Sequence, residues 1–367
     1  MRVVDKSRTA APASRLSATE GDSVQLRALP LLWRGTTEIQ IGTDPRWAVA
    51  LTDLSPAAAR ALVGLRAGTT LRSLIAALQA EAVPEDEVDT VLAHLRAAHL
   101  VVPPSADDPT ASTRADARTL ALLAPDGDAA PVLARRARSV VLLRGLGRTG
   151  SGIATALACA GVGTLLLEDP TRTRAEEVGF GGLGAAAVGT ARATALARVL
   201  LDVRPTLRTV APAGRSPDIV VLVEQDVADP IGYAPLLDSG QAHLSVVIGE
   251  AAIRVGPRVL PGRTACLRCL ELHHTDVDPA WPTVAAQLAA GGSRVARDEE
   301  TSLAVMAAAT ATVQVLAALD GRPVTVDGAA LEIALPLGLP VSRRWDPHPR
   351  CGCGSQLPDG TPQGTVD

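Results

Sequence analysis

The stretch Val140-Val141-Leu142-Leu143-Arg144-Gly145-Leu146-Gly147-Arg148-Thr149-Gly150 decides the fold. Its first four residues form a continuous apolar β-type run, the pattern of a parallel strand buried on both faces. Gly145, Gly147 and Gly150 then spell GxGxxG, and Ile153, Leu157 and Ala160 continue with helical spacing. A second apolar strand, Gly163 to Leu167, runs into Glu168-Asp169. Asp169 lies 22 residues after Gly147, the spacing at which a carboxylate meets a ribose hydroxyl. Glycines suit the turn because backbone N–H groups must approach a phosphate at a helix N-terminus. Strand, turn, helix, strand and acid in this order predict a Rossmann-like α/β fold. The turn itself keeps two readings: a phosphate cradle, or a tight connection only. Arg148 either blocks such a cradle or grips the phosphate with its guanidinium.

Further elements extend the sheet. Arg192 to Leu201 reads as a helix, and Asp218 to Val223 and Ser245 to Ile248 read as strands. Asp226 follows the first of these strands, where such folds place ligands. It is either a Mg²⁺-positioning acid beside a triphosphate or an exposed loop acid. The apolar run Leu303 to Leu319 is short for a membrane span and diluted by Thr310, Thr312 and Gln314, so it reads as a buried helix.

Two cysteine pairs follow. Cys266-Leu267-Arg268-Cys269 is CxxC and Cys351-Gly352-Cys353 is CxC, with 81 residues between them. Two thiolates from each tight turn complete a tetrahedron around Zn²⁺, a site closed by protein ligands and therefore structural. A redox CxxC is the alternative, and His273, His274 and His348 are possible substitute ligands. Cys159, among Ala158, Ala160 and Gly161, reads as core. Five cysteines in 367 residues make no disulfide framework, and the opening residues contain no apolar signal-peptide core, so a reduced, cytoplasmic protein is expected.

The N-terminal part is a separate module, 22–104, between a loose tail, 1–21, and a Pro/Asp/Gly-rich linker, 105–134. The body spans 135–354, with a second tail at 355–367. Short extended pieces at Leu29–Trp33, Glu38–Ile41 and Ala48–Leu51 precede three helices. Ser55-Pro56 opens the first, Leu71, Leu74, Ile75 and Leu78 stripe the second, and Val88, Val91, Leu92 and Leu95 the third. This order predicts a small winged-helix α+β module. The module carries 7 Arg and no Lys against 9 Asp+Glu, which argues against a DNA-binding regulator. Capture of an extended peptide as an added strand fits better, and a packing or dimerisation module is the plainer reading. The whole chain has a net charge of −4 and six aromatic residues, which leaves neither a basic nor a base-stacking nucleic-acid surface. Its single lysine, Lys6, lies in the tail, so the body has no lysine for chemistry.

Taken together, GLGRTGSGIATALACAGVGTLLLEDP, GTARATALARVLLDVRP, VLVEQD, PGRTACLRC and HPRCGCG resemble the ThiF/ubiquitin-activating-enzyme superfamily. The closest resemblance is to ThiF-like partners of YcaO-type peptide cyclodehydratases, which act in thiazole and oxazoline peptide (bacteriocin-type) biosynthesis. The resemblance implies that the N-terminal module binds a precursor's leader peptide and that the body pairs as a homodimer. It also implies, for competent members, activation of a carboxylate with ATP and Mg²⁺ to an acyl-adenylate. Gly145, Gly147, Gly150 and Asp169 match that chemistry's turn and ribose positions. Arg148 stands where a glycine is usual, and Arg192 stands at the lysine position. Asp226 matches the metal-positioning acid, whereas 178–183 offers neither the expected Asn nor the expected Arg. The resemblance therefore implies a leader-binding partner, with adenylyltransferase activity as the alternative.

Overall fold

The computed structural model describes residues 2–4, 24–66, 68–102, 113–124, 126–291 and 298–353, and the chain divides into two units, 1–133 and 134–367. The first unit contains β1 (Arg2–Val4), β2 (Gln25–Leu26), β3 (Leu31–Gly35), β4 (Glu38–Ile41) and β5 (Val49–Leu51). Helices α1 (Pro56–Val63), α2 (Leu71–Ala80) and α3 (Glu85–Ala97), strand β6 (Val101–Val102) and helix α4 (Arg114–Leu123) follow.

The sheet order is β1-β5-β4-β3, and β2 pairs with β6. Ser55 caps α1 by accepting the Ala58 N–H, with Pro56 at the first helical position. Leu71, Leu74 and Leu78 of α2 and Val91 and Leu95 of α3 bury against Ile39 and Leu51 of the sheet. The periodicity thus places both helices on one core.

Two boundaries differ from the sequence reading. Arg2–Val4, within the stretch read as a tail, pairs in parallel with β5 and satisfies that strand's edge. Much of the described part of the expected linker is helical. α4 buries Leu120 and packs Leu122 on the first unit's core, while Arg27 donates to the carbonyls of Ala121, Leu122 and Ala124. The rest of the expected tails and linker lies outside the described residues.

The second unit begins within α5 (Ala130–Arg138) and continues through β7 (Val140–Arg144), α6 (Arg148–Cys159), β8 (Thr164–Glu168), α7 (Arg192–Val203) and β9 (Ile219–Gln225). Next come α8 (Pro230–Asp238), β10 (His243–Ile248), β11 (Ala252–Val259), α9 (Leu267–Val277), α10 (Trp281–Ala289), α11 (Thr301–Asp320), β12 (Ala329–Ala334) and β13 (Pro340–Arg344). The seven strands run β13-β12-β11-β10-β9-β7-β8. β8, β7, β9 and β10 are mutually parallel, and β11, β12 and β13 extend the sheet antiparallel.

Both faces are covered. Val141 and Leu143 of β7 pack with Ile153 and Leu157 of α6, Leu196 of α7 and Val315 of α11. Leu142 points the other way, with Leu222, Tyr233 of α8 and Leu267 of α9. This alternation is why the run at 140–143 is apolar throughout. Helix α11 is long and apolar enough to cross a membrane, but its Leu303, Ala307, Ala311 and Val315 lie inside this core. Cys159 departs from its expected place. It sits on the exposed side of α6, opposite Ile153, Ala154 and Leu157.

At the base of the body, buried Arg136 of α5 forks onto buried Asp320 at the end of α11, at 2.8 and 2.7 Å. The same guanidinium reaches the Ala160 carbonyl beyond α6. One ion pair therefore ties three helix termini together.

Candidate functional site

The Gly-rich turn leaves β7 at its carboxyl end. Gly145 has φ +87°, and a Cβ there would collide with the Val223 carbonyl of neighbouring β9. At Gly150 a Cβ would collide with the Gly145 carbonyl. Both glycines are dictated by close packing of turn, helix and sheet, whatever the turn binds.

Asp169 sits where the sequence places it and is fully engaged. Its Oδ2 accepts the Leu146 N–H at 2.7 Å and Arg192 Nη1 at 3.0 Å. Its Oδ1 accepts both the N–H and the hydroxyl of Thr171. Burial alone would push this carboxyl up, but the bonds from Thr171, Leu146 and Arg192 together hold it below the ordinary carboxylate range.

Arg192, at the start of α7, bridges Asp169 to buried Glu177, and Arg174 Nε donates to the same Glu177 oxygen, Oε1, at 3.1 Å. Burial opposes the charge on Glu177 too, and is outweighed by Arg192 and Arg174, so its carboxyl also titrates low. Arg192 thus has both of its charge partners inside the fold.

Arg148 opens α6 and turns toward the segment before α11. Its Nη1 donates to the Glu299 carbonyl at 2.8 Å and its Nη2 to Thr301 Oγ1 at 2.7 Å. Asp226 follows β9 in a left-handed conformation, φ +66°, with its N–H on the Ile248 carbonyl. The structure therefore brings Gly145, Gly147, Arg148, Gly150, Asp169 and Arg192 to one turn, and sets Asp226 at the end of the adjacent strand.

Sequence reading missed Glu177, Arg174 and Glu299. The acidic run Asp298-Glu299-Glu300 before a helix was the available signal. A second polar group was also missed. Glu224, Arg254 and Glu332 share one row across β9, β11 and β12, with Val247 between the first two. Glu224 Oε1 accepts the Asp229 N–H, its Oε2 has no partner, and burial pushes its carboxyl up to about 7. Burial likewise raises Glu271 on α9, whose carboxylate takes the Trp281 indole N–H.

The four cysteines converge. Cys266 and Cys269 Sγ are 3.7 Å apart, Cys266 and Cys351 3.5 Å, and Cys269 and Cys353 3.3 Å. Tetrahedral Zn–S bonds of about 2.3 Å place thiolates about 3.8 Å apart, so the donor set fits zinc. Cys266 caps α9, and the His348 N–H donates to Cys269 Sγ. The Cys266 hydrogen bond pulls the Cys269 thiol down, while burial pushes Cys353 up. Four close thiols cannot all ionise without a cation among them. His348 is no substitute for a thiol here: its ring pairs with Asp276, and His273 Nε2 meets the Asp346 carbonyl.

No family model matches the sequence, and no curated protein matches it. Solved structures do. The chain is similar to E. coli MccB bound to AMPCPP and MccA, with TM-score 0.64 and 15% identity over 90% of this chain and 99% of that one. MccB with ATP gives TM-score 0.61 and 16% identity over 90% and 99%. PaaA gives TM-score 0.62 and 16% identity over 86% of this chain and 98% of that one. These likenesses show a ThiF-like fold.

Proposed function

We propose that this chain is a ThiF-like partner protein of peptide modification, in which the body has become a scaffold. One observation carries the reading: the ribose-position carboxylate of Asp169 already receives four donors, and Arg192 is locked between Asp169 and Glu177. The groups expected to hold a nucleotide hold each other instead. The winged-helix-like module binds the leader of a precursor peptide and presents its core to a YcaO-type cyclodehydratase in thiazole- or oxazole-forming biosynthesis.

Two features of the first unit favour peptide capture. Among the described residues β3 ends its sheet and exposes Leu32 and Trp33, so an extended segment can add there. A cavity of about 260 Å³ lined by Arg27, Val102, Arg114, Arg118 and Leu122 offers room for one apolar or acidic side chain. In this reading the four-thiol cluster holds structural zinc, and the protein acts as a cytoplasmic homodimer.

The test is binding of labelled precursor peptide. Affinity should survive deletion of the peptide's core and vanish when residues 22–104 of the protein are removed. Leader binding that persists without those residues would reject the reading.

Adenylation of a carboxylate by this chain is the second reading, favoured by its similarity to MccB, which has been solved with ATP. It requires exchange of labelled pyrophosphate into ATP in the presence of the acceptor peptide.

A further inference from the structure

The α6 terminus has an occupant. Glu299 Oε2 accepts the Thr149 N–H at 2.7 Å, in the position where such a helix presents donors to a phosphate. The carboxylate approaches closely enough that a Cβ on Gly147 would lie 2.6 Å from Glu299 Oε1. Its segment is held by two arginines. Arg148 binds the Glu299 carbonyl and the Thr301 hydroxyl, and Arg174 binds Asp298 at 3.1 Å.

The two residues that open α6 keep further donors that Glu299 leaves unpaired. Thr149 is completely buried, and its Oγ1 has no hydrogen-bond partner; neither has Arg148 Nε. A buried hydroxyl and a guanidinium N–H left unpaired are costly unless a ligand completes them. A carboxylate has two oxygens in one plane. A phosphate group presents three and more negative charge, and it fits a backbone N–H, a hydroxyl and a guanidinium together.

We propose that Glu299 is an internal stand-in for phosphate, so that an oligophosphate and the Glu299 carboxylate compete for the α6 terminus. Binding of the oligophosphate releases Glu299 and with it the segment 298–301 that leads into α11. The competition does not depend on leader binding, nor on ribose recognition by Asp169. The ligand is accordingly defined by its phosphate chain, from inorganic oligophosphate or from the tail of a nucleotide.

Calorimetry on the full chain tests this, with inorganic tripolyphosphate as the probe at fixed ionic strength and without divalent metal. Glu299→Gln, which keeps an acceptor for the Thr149 N–H but no charge, should bind at least tenfold more tightly than the wild type. Glu300→Gln removes the same charge one residue further on and should change affinity by less than about twofold. Adding Arg148→Ala to Glu299→Gln should remove the gain. A parallel titration with ATP separates the sources. Equal affinity assigns inorganic oligophosphate and tenfold tighter ATP assigns a nucleotide, while the gain in Glu299→Gln alone decides displacement.

No gain in Glu299→Gln, or an equal gain in Glu300→Gln, overturns the proposal. So does wild-type binding that needs Mg²⁺ and disappears with Glu299→Gln, because Glu299 would then serve the ligand rather than exclude it. A wild-type measurement guards against a variant that fails to fold. Saturating tripolyphosphate should speed amide hydrogen exchange over 298–303, and unchanged exchange counts against the competition.

Discussion

Arg192 Nη1 lies 3.0 Å from Asp169 Oδ2, so the two residues to which the sequence resemblance assigns phosphate and ribose contacts are joined directly to each other. A lysine or arginine that serves a nucleotide phosphate must be free to reach it. Here the guanidinium is committed to two carboxylates, with Glu177 as the second. The consequences can be measured.

Replacing Arg192 with Met leaves Asp169 and Glu177 partly buried without their shared cation. Loss of one partner of such a group costs about 3 kcal/mol, read as a lower midpoint in urea. The pH response follows from the low-titrating carboxyls. Their ordinary values are 3.8 and 4.5, and both are depressed in the fold. They stabilise the native state above those values, and the contribution is lost as pH falls through the depressed ones. Arg192→Met should therefore flatten the acid limb of the wild-type stability profile.

Asp320→Asn should be more damaging. Arg136 and Asp320 are both buried, and Asp320 also accepts Arg322 at 2.6 Å. Removing the charge strands Arg136 and should cost about 3 to 5 kcal/mol. The double replacement Arg136→Met with Asp320→Leu should cost less than the single one, because neither charge remains to be solvated. A double variant weaker than both singles would contradict this account.

Purified protein should carry one zinc per chain by elemental analysis. Stripping it with a chelator, or changing Cys269→Ser, should lower the thermal midpoint of the body. Restoration on adding Zn²⁺ but not Mg²⁺ checks the thiolate donor set.

Glu224 supplies a response of opposite sign. Its carboxyl is raised from 4.5 to about 7 by burial, so the folded state holds the proton more tightly than the unfolded chain. This contribution is complete below pH 4.5 and disappears as pH rises through 7. Glu224→Gln keeps the acceptor for the Asp229 N–H. It should match the wild type near pH 4.5 and exceed it by about 3 kcal/mol at pH 8, since each tenfold difference in proton affinity between folded and unfolded chain is worth about 1.4 kcal/mol. Chemical denaturation of both proteins at the two pH values checks this.

The sequence was most legible where local pattern and tertiary role agree. The apolar run at 140–143, the glycines that follow and the stripe of α6 all describe elements whose neighbours are close in the chain. The cysteine pairs were legible because few other purposes need two thiols at such spacing twice. β11, β12 and β13 escape a sequence reading, since a glycine-proline step interrupts β11, alanine fills half of β12 and polar residues occupy most of β13. The apolar neighbours of Cys159 suggest the core, although the helical stripe turns it outward. Glu299 was out of reach for a different reason: its contact with Thr149 spans 150 residues, and no short window contains both.

The thiol cluster has a consequence for how the protein is made. Cys266 and Cys269 emerge from the ribosome well before Cys351 and Cys353, so the nascent body spends that interval with half of its thiol cluster. A chain truncated before residue 351 would keep the Arg136–Asp320 pair and lose two of the four clustered thiols.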